Sequence, residues 1–316
     1  MTRQILKLLL LCCFALKLLP NFLKSMESFQ SFYFDTEISA EIFIDQIMKL
    51  HASISKLESL RISEEVKSLL GNLAKLCTLL PSTIDIKAFP QEVLSIRESL
   101  NNFVSQAEGL LELEFSTLIS HKPNPLKYLT EYSYYAHYVR ITSIESKILK
   151  ENGIGNAKKV AFVGSGAMPL SSILMATNHM ESTHFDNFDI DENANEVARR
   201  IVASDAALEK RMKFETQDIM EVKEKLGQYD CIILAALVGM NREDKVKILG
   251  HIRMYMKEGG ILIVRSAKGA RTFIYPYVED HDFVNFQLLT TFQPRHALVH
   301  SVLRKKPKAQ HQKSHM

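Results

Sequence analysis

The chain has 316 residues, of which 46% are hydrophobic and 24% charged, and its formal net charge is +3. This composition excludes an intrinsically disordered protein and predicts one large or two medium-sized domains with a substantial core. Because basic residues are spread along most of the chain, no nucleic-acid partner is expected. The basic run at 304–308 predicts a solvated tail over residues 304–316.

An apolar segment opens the chain. Residues 5–19 are strongly apolar after a basic start, as in a signal or anchor segment, but Lys7 and Lys17 interrupt the run and no small-residue cleavage site follows. A membrane-surface helix, a signal sequence and an upstream extension of the gene model before Met26 all fit residues 1–25. We favour the extension, because a helical pattern begins just after Met26. The expected compartment is then the cytoplasm, with a membrane-associated or secretory protein as the alternative.

Helical periodicity dominates residues 26–152. Apolar side chains recur at steps of three and four residues, with prolines between the segments, and longer helix-like runs cover 91–120 and 132–151. We therefore predict an all-helical N-terminal domain that caps the rest of the chain. The two apolar stripes are Ile47, Leu50, Ile54 and Leu57, and Val66, Leu69, Leu73 and Leu76.

Two side-chain pairs in this cap are candidates for chemistry. Glu108 and Glu112 are one helical turn apart, so that both carboxylates project from one face of a helix. Tyr134 and Tyr138 have the same spacing. From spacing alone, a solvated acidic face and an aromatic core stripe are the commoner explanations of such pairs.

A strand followed by a glycine turn starts the second half of the chain. The apolar run 160–163 ends at Gly164-Ser165-Gly166, which predicts a buried strand that turns sharply into a helix and leaves backbone amides free for a ligand. A second strand ends at Asp189 and Asp191, where carboxylates are placed to bind the hydroxyls of a ribose. Together these features predict a nucleoside-binding half of a Rossmann-like sheet.

Strands and helices alternate after this turn. The alternation predicts an α/β fold with a mostly parallel sheet and a ligand at the carboxyl ends of its strands. We place this domain at residues 153–303. Its predicted elements after Asp191 are a helix over 194–204, strands over 213–216 and 229–236, a helix over 245–256, and strands over 261–265 and 297–303.

The glycine turn also narrows the class of ligand. A dinucleotide fingerprint has a third glycine, but here the loop continues as Ala167-Met168-Pro169. Acidic residues after the second and third strands, with a glycine pair before the fifth, are instead typical of enzymes that use S-adenosylmethionine (SAM). We expect Asp189 or Asp191 to hold the ribose, Asp218 to lie beside the adenine amine, and the glycine turn to approach the methionine part.

Metal binding is not expected. The four cysteines have neither metal-ligand spacing nor the intervals of a disulfide framework, which suits a reducing compartment. His296 and His300 are four residues apart, but His300 lies in the strand predicted over 297–303, where alternate residues share a face, and no cysteine or carboxylate cluster joins the two. The cysteines are Cys12, Cys13, Cys77 and Cys231.

Five blocks of the sequence are distinctive enough to compare with known families. They are FVGSG (162–166), FDNFDID (185–191), ANEVA (194–198), LAALVGM (234–240) and RSAKGAR (265–271). These blocks closely resemble the plant nicotianamine synthases. Weaker similarity around Glu112 and Tyr138 extends the resemblance over roughly residues 27–303.

The resemblance implies a reaction that the fold alone does not reveal. Enzymes of this family use three SAM molecules and transfer the aminocarboxypropyl arm, rather than the methyl group, to an amine. Each transfer releases methylthioadenosine, and a ring closure completes nicotianamine, a chelator of iron and other metals. The metal belongs to the product, so no metal cofactor is implied. A SAM-dependent methyltransferase of small molecules and a diverged, non-catalytic SAM-fold protein are the alternatives.

An amine that attacks SAM must first lose a proton. The candidate base is Glu112, with Tyr134 or Tyr138. Each substrate also carries a carboxylate, so that fixed cations are expected to face the pocket. Arg265 and Arg271 are the candidates, with plain surface charge as the alternative.

The apolar run at 234–238 is expected mainly to fill the core. Leu237 and Val238 are the exceptions, because they come last in the run and precede a glycine. We expect these two residues to contact the cofactor.

Overall fold

The computed structural model describes residues 37–293 and 297–308. The second half of the chain forms a seven-stranded sheet. Its strands are β1 (Lys159–Val163), β2 (His184–Asp189), β3 (Met212–Thr216), β4 (Cys231–Leu234), β5 (Ile261–Ser266), β6 (Gln287–Phe292) and β7 (His300–Lys305).

The sheet has the strand order β3-β2-β1-β4-β5-β7-β6. The first five strands are parallel, and β7 pairs antiparallel with both β5 and β6. The chain passes from β1 to one side for β2 and β3, then crosses back for β4 and β5. The carboxyl ends of β1 and β4 therefore border a crevice where the order reverses, the usual ligand site of such sheets. This confirms the predicted Rossmann-like, mostly parallel sheet.

Helices cover the sheet and form the cap. Strands β4 and β5 are buried along their whole length, which explains why β4 and the first four residues of β5 are apolar. The helices are α1 (Ala40–Ile54), α2 (Glu64–Leu79), α3 (Gln91–Ser95), α4 (Arg97–Ser120), α5 (Tyr135–Glu151), α6 (Leu170–Asn178), α7 (Glu192–Val202), α8 (Ala206–Arg211) and α9 (Arg242–Tyr255).

Side-chain caps and apolar stripes define the first cap helices. Ser39 and Ser63 accept backbone N–H groups at the starts of α1 and α2. Ile47 and Leu73 are fully buried, as the stripes predict, whereas Leu69 is only partly buried and Leu70 takes its place in the core.

The cap and the sheet share their cores. The cap cluster around Phe43 also includes Phe273 and Tyr275 from the segment after β5. The sheet cluster in turn includes Ile119 and Tyr132 from the cap. Apolar burial therefore joins the two parts tightly, and their division at residue 152 stays a prediction.

Several predicted elements differ from those observed. The run 91–120 is two helices, because the chain breaks at Ile96, and the run from 132 becomes regular helix only at Tyr135. The strand predicted over 229–236 is shorter. The strand predicted over 297–303 begins at His300, and the edge strand β6 was not predicted.

The last strand of the sheet ends later in the chain than the sequence suggests. Arg304 and Lys305, predicted to belong to the solvated tail, complete β7. The Arg304 side chain is buried, and its guanidinium carbon lies 4.3 Å from the centroid of the Phe283 ring. The predicted boundary at residue 304 is therefore too early.

The apolar segment 1–25 lies outside the described residues. Among the helices within 37–293 and 297–308, none combines the length and the apolar character needed to cross a bilayer. The origin of the segment and the compartment of the protein stay predictions.

Candidate active site

The turn after β1 contains two glycines in the left-handed region. Gly164 has a φ angle of 79° and Gly166 one of 64°, which a side chain would strain. An added Cβ would also overlap the Val238 side chain at Gly164 and the Glu112 carboxyl at Gly166. Glycine is therefore required at both positions, because the loop after β4 closely approaches Gly164 and the cap closely approaches Gly166.

Asp189, at the end of β2, fixes this turn. Its Oδ2 accepts the Gly166 N–H at 2.7 Å, and its Oδ1 accepts the Asp191 N–H at 3.0 Å. Asp191 caps α7 by accepting the Asn193 N–H at 2.9 Å. Between the two carboxylates, Ile190 is 77% exposed and leaves an apolar surface at the sheet edge. The structure thus brings Asp189 to the glycine turn, and Asp191 lies two residues farther on at the start of α7.

Asp218 follows β3 and is exposed. Its Oδ1 accepts the Met220 N–H at 2.9 Å and starts a short 3-10 helix. The neighbouring Gln217 N–H donates to the main-chain oxygen of Asp189 at 3.0 Å. Asp218 therefore lies at the same sheet edge as Asp189, and its role beside an adenine stays a prediction.

The loop after β4 borders the crevice opposite Asp189. Residues 235–239 are half-buried, and Val238 lies against Gly164. The buried Lys245 holds this loop, since its Nζ donates to three main-chain oxygens of the loop at 2.7, 2.8 and 3.2 Å. Sequence reasoning missed Lys245, because a lysine near the start of a helix usually indicates surface charge.

The cap reaches the glycine turn through Glu112 on α4. The Glu112 Oε1 atom accepts the Met168 N–H at 2.9 Å. Glu112 is half-buried between the cap and the sheet. Burial raises the pKa of its carboxyl to about 8, and the charges of Asp189 and Glu108 add to the rise. A carboxyl with a pKa near neutrality can take up and release protons at physiological pH.

Glu108 lies one turn before Glu112 and also points into the interior. Its Oε1 accepts the Tyr275 O–H at 2.7 Å. Burial raises the pKa of Glu108 to about 7, and the hydrogen bond from Tyr275 acts in the opposite direction. The two carboxyls are therefore not a solvated acidic face, which was the commoner explanation of their spacing.

Tyrosines of the cap accompany the carboxyls. The rings of Tyr134 and Tyr138 lie 5.7 and 6.5 Å from the ring of Tyr132, measured between centroids. Burial raises the pKa of both hydroxyls, and the charge of Glu112 adds to the rise at Tyr138. Both phenols therefore stay protonated at neutral pH and act as hydrogen-bond donors. This favours Glu112 over the tyrosines as the base.

Arg265, at the end of β5, is engaged in a buried ion pair. Its Nε and Nη2 donate to the two carboxylate oxygens of Glu145 at 3.1 and 2.8 Å, and its Nη1 donates to Ser171 Oγ at 2.9 Å. Ser301 Oγ donates to the same carboxylate at 2.7 Å. Glu145 thus takes the place that was predicted for a substrate carboxylate. These contacts do not support Arg265 as a clamp, and they show that it joins α5 to the sheet.

Arg271 lies half-buried in the segment after β5. Its Nε donates to the main-chain oxygen of Ala297 at 2.8 Å. Burial lowers the pKa of its guanidinium, and Cys77 of the cap acts in the opposite direction. Of the two predicted clamps, Arg271 is the one without a carboxylate partner among the described residues.

The arrangement has two chemically distinct sides. Carboxylates and backbone amides at the sheet edge suit a ligand rich in hydroxyl groups, and the half-buried carboxyls and phenols of the cap suit proton transfer. Over residues 37–293 and 297–308, no three His, Cys, Asp or Glu side chains are grouped to hold a metal ion.

Similarity to known sequences covers most of the chain. A family model described as "Nicotianamine synthase protein" matches residues 36–312. The nicotianamine synthase of Solanum lycopersicum is 41% identical over 260 residues, which are 82% of each chain. Nicotianamine synthase 1 of Arabidopsis thaliana is 41% identical over 265 residues, which are 83% of each chain.

Solved structures share the fold. A Glu-to-Gln mutant of MtNAS in complex with S-adenosylmethionine aligns with a TM-score of 0.71 at 19% identity, over 85% of this chain and 100% of that one. MtNAS in complex with MTA and tNA aligns with a TM-score of 0.70, also at 19% identity and with the same coverage. At this level of identity the likeness concerns the architecture of the cap and the sheet.

Proposed function

The chain belongs to the nicotianamine synthase family, and from this premise we propose that it condenses three SAM molecules into nicotianamine. Two transfers join aminocarboxypropyl groups, a ring closure forms the azetidine, and one methylthioadenosine leaves at each step. The product chelates iron and other metals, which links the enzyme to metal homeostasis. The observation that carries the proposal is the hydrogen bond from Met168, just after the glycine turn, to the Glu112 carboxyl of the cap.

The sheet edge supports the binding of the adenosine part of SAM. Asp189 and Asp191 stand together beside the glycine turn, where carboxylates suit ribose hydroxyls. Ile190 and Met220 expose apolar surface at the same edge, which suits the faces of an adenine ring. Asp218 is then the acceptor for the adenine amine. Leu237 and Val238 form the opposite wall of this site.

Placement, rather than fold, selects the carbon that reacts. The sulfonium of SAM has three electrophilic carbons, and the one attacked is the one aligned with the nucleophile. In each transfer the amine nitrogen forms a bond to the side-arm carbon next to sulfur. The carbon–sulfur bond breaks with its electron pair going to sulfur, and the neutral thioether methylthioadenosine leaves.

Glu112 is the group that supplies the base. The attacking amine is mostly an ammonium at neutral pH and must lose a proton. Burial raises the pKa of Glu112 to about 8, close to that of an amine, so that proton transfer between them is nearly balanced. The protonated hydroxyls of Tyr134 and Tyr138 are donors that can orient the acceptor. Arg271 is the proposed partner for an acceptor carboxylate.

Incubation of the purified protein with SAM alone tests the proposal. The expected products are nicotianamine and methylthioadenosine, because no other substrate is needed. Release of S-adenosylhomocysteine with an added small-molecule acceptor would instead identify a methyltransferase. Binding of SAM without any turnover would identify a non-catalytic member of the family.

A further inference from the structure

Lys245, on the first turn of α9, is an ammonium group buried without an acidic partner. Its side chain is 0% exposed. Its Nζ donates to the main-chain oxygens of Ala235, Ala236 and Val238 at 3.2, 2.8 and 2.7 Å. All three ammonium hydrogens are thus directed at one loop, and none of the hydrogen-bonding partners found for Lys245 among the described residues is a carboxylate.

This placement is electrostatically unfavourable for a lysine. Burial lowers the pKa of Lys245 to about 7, which reflects the cost of removing its charge from water. The start of a helix is also its positive end, where a cation is disfavoured. An apolar side chain of the same length would fill the space without either cost. Core packing therefore does not explain a lysine here, whereas three charge-assisted hydrogen bonds to the loop do.

The loop that Lys245 holds lies directly against α9. Gly239 has a φ angle of 76°, and an added Cβ there would lie 2.8 Å from the Lys245 Cα and backbone nitrogen. The other side of the loop touches the glycine turn, because Val238 fills the space beside Gly164. A continuous series of contacts thus runs from Lys245 through Val238 to the turn after β1.

We propose that Lys245 is a positioning residue for SAM: its ammonium holds residues 235–239 in the shape in which Leu237 and Val238 form one wall of the SAM site. The inference rests on the proposed function, which makes the crevice between β1 and β4 a SAM site. Lys245 itself does not touch the reacting atoms. Its effect reaches the cofactor only through the loop.

Binding of S-adenosylhomocysteine, which SAM enzymes bind but cannot transfer from, tests this role in the full chain. Lys245→Met keeps the length of the side chain and removes the donors. We expect the Kd of this variant for S-adenosylhomocysteine to rise about tenfold or more. The KM for SAM should rise by a similar factor, and kcat should change by less than about threefold. Lys306→Met is the matched control, because among the described residues Lys306 Nζ likewise donates to main-chain oxygens, those of Met254 and Met256, at the other end of α9.

The outcomes separate positioning from stability. A Kd raised in Lys245→Met and unchanged in Lys306→Met supports the proposal. A lower melting temperature or active fraction with unchanged Kd and KM overturns it, because a purely structural lysine would act in that way. If Lys245→Met does not fold, Gly239→Ala displaces the same loop, and an unchanged Kd there overturns the proposal.

Failure of the proposed function gives a different result. A wild-type protein that binds S-adenosylhomocysteine but does not convert SAM contradicts the transferase activity, and the binding comparison still decides the role of Lys245. A wild-type protein that neither converts SAM nor binds S-adenosylhomocysteine contradicts both. If it converts SAM without binding S-adenosylhomocysteine, the KM for SAM of Lys245→Met decides the role of Lys245.

Discussion

The sheet edge and the cap face of the crevice hold their acidic side chains in different electrostatic environments. At the sheet edge, Asp191 and Asp218 are exposed, and the carboxylate of Asp189 is held by two backbone N–H groups. At the cap face, burial raises the pKa of Glu108 to about 7 and that of Glu112 to about 8. One side thus presents charged, hydrogen-bonded acceptors, and the other presents acids that change protonation state near neutral pH.

The difference teaches which side performs which task. Carboxylates at an exposed sheet edge are suited to accept hydrogen bonds from hydroxyl groups, whereas an acid with a raised pKa is suited to take a proton from an amine. The two sides meet where Glu112 accepts the Met168 N–H, and the Arg265–Glu145 pair joins the same two parts of the molecule farther inside. Variants that affect one side alone, or their junction, therefore separate binding from chemistry.

Breaking the junction is expected to have the largest effect. Glu145→Gln removes the charge that neutralises Arg265 in a fully buried site. We expect a loss of about 3–5 kcal/mol in the free energy of unfolding, because Arg265 keeps an uncompensated buried charge. Urea denaturation measures this loss. Glu196→Gln is the control, because its pair with Arg200 is exposed and contributes about 0.5 kcal/mol or less. Equal losses in both variants would contradict the role of the junction.

Removing the base from the cap face is expected to have the next largest effect. Glu112→Gln keeps an oxygen that can accept the Met168 N–H but cannot take up a proton. Turnover of SAM should fall by about 10²-fold or more, while the Kd for S-adenosylhomocysteine changes by less than about threefold. Glu114→Gln, on an exposed position of the same helix, should retain wild-type turnover. Full turnover in Glu112→Gln would exclude it as the base.

Removing a carboxylate from the sheet edge should affect binding first. Asp189→Ala removes the carboxylate that accepts the Gly166 N–H and that is proposed to bind the ribose. We expect binding of S-adenosylhomocysteine to weaken by about 1.5–3 kcal/mol in calorimetry. Asp205→Ala is the control, since Asp205 also accepts two backbone N–H groups but caps α8 before β3. Unchanged affinity in Asp189→Ala would remove Asp189 from the site.

The sheet edge could be predicted from the sequence because its signals are local. The order of a strand, a glycine turn and a second strand with an acidic end indicates where each element lies in the sheet. Parallel strands then bring their carboxyl ends to one edge. That order brings Asp189 close to the glycine turn, although its hydrogen bond with Gly166 was not predicted. The edge strand β6 was not predicted, because its residues are exposed or half-buried and show no regular alternation of apolar and polar side chains.

The cap face could be predicted only in part, because its chemistry depends on burial by distant segments. The spacing of Glu108 and Glu112 placed them on one face of a helix but could not reveal that Tyr275 would cover Glu108. Glu145, the partner of Arg265, lies 120 residues before it. The role of Lys245 depends on the path of a loop, which no residue pattern indicated.

The pH dependence of methylthioadenosine release tests most directly whether a buried acid of the cap activates the amine. Because burial raises the pKa of Glu112 to about 8, the base is mostly protonated and inactive at lower pH. Turnover of SAM should therefore rise about tenfold per pH unit below the midpoint and level off above it.

The charge of Glu108 adds to the rise in the pKa of Glu112, so Glu108→Gln should move the midpoint to lower pH by removing a like charge. The account predicts a midpoint near pH 8 in the wild type and a lower one in Glu108→Gln. A rate that is constant between about pH 6 and 9 in both proteins would contradict it.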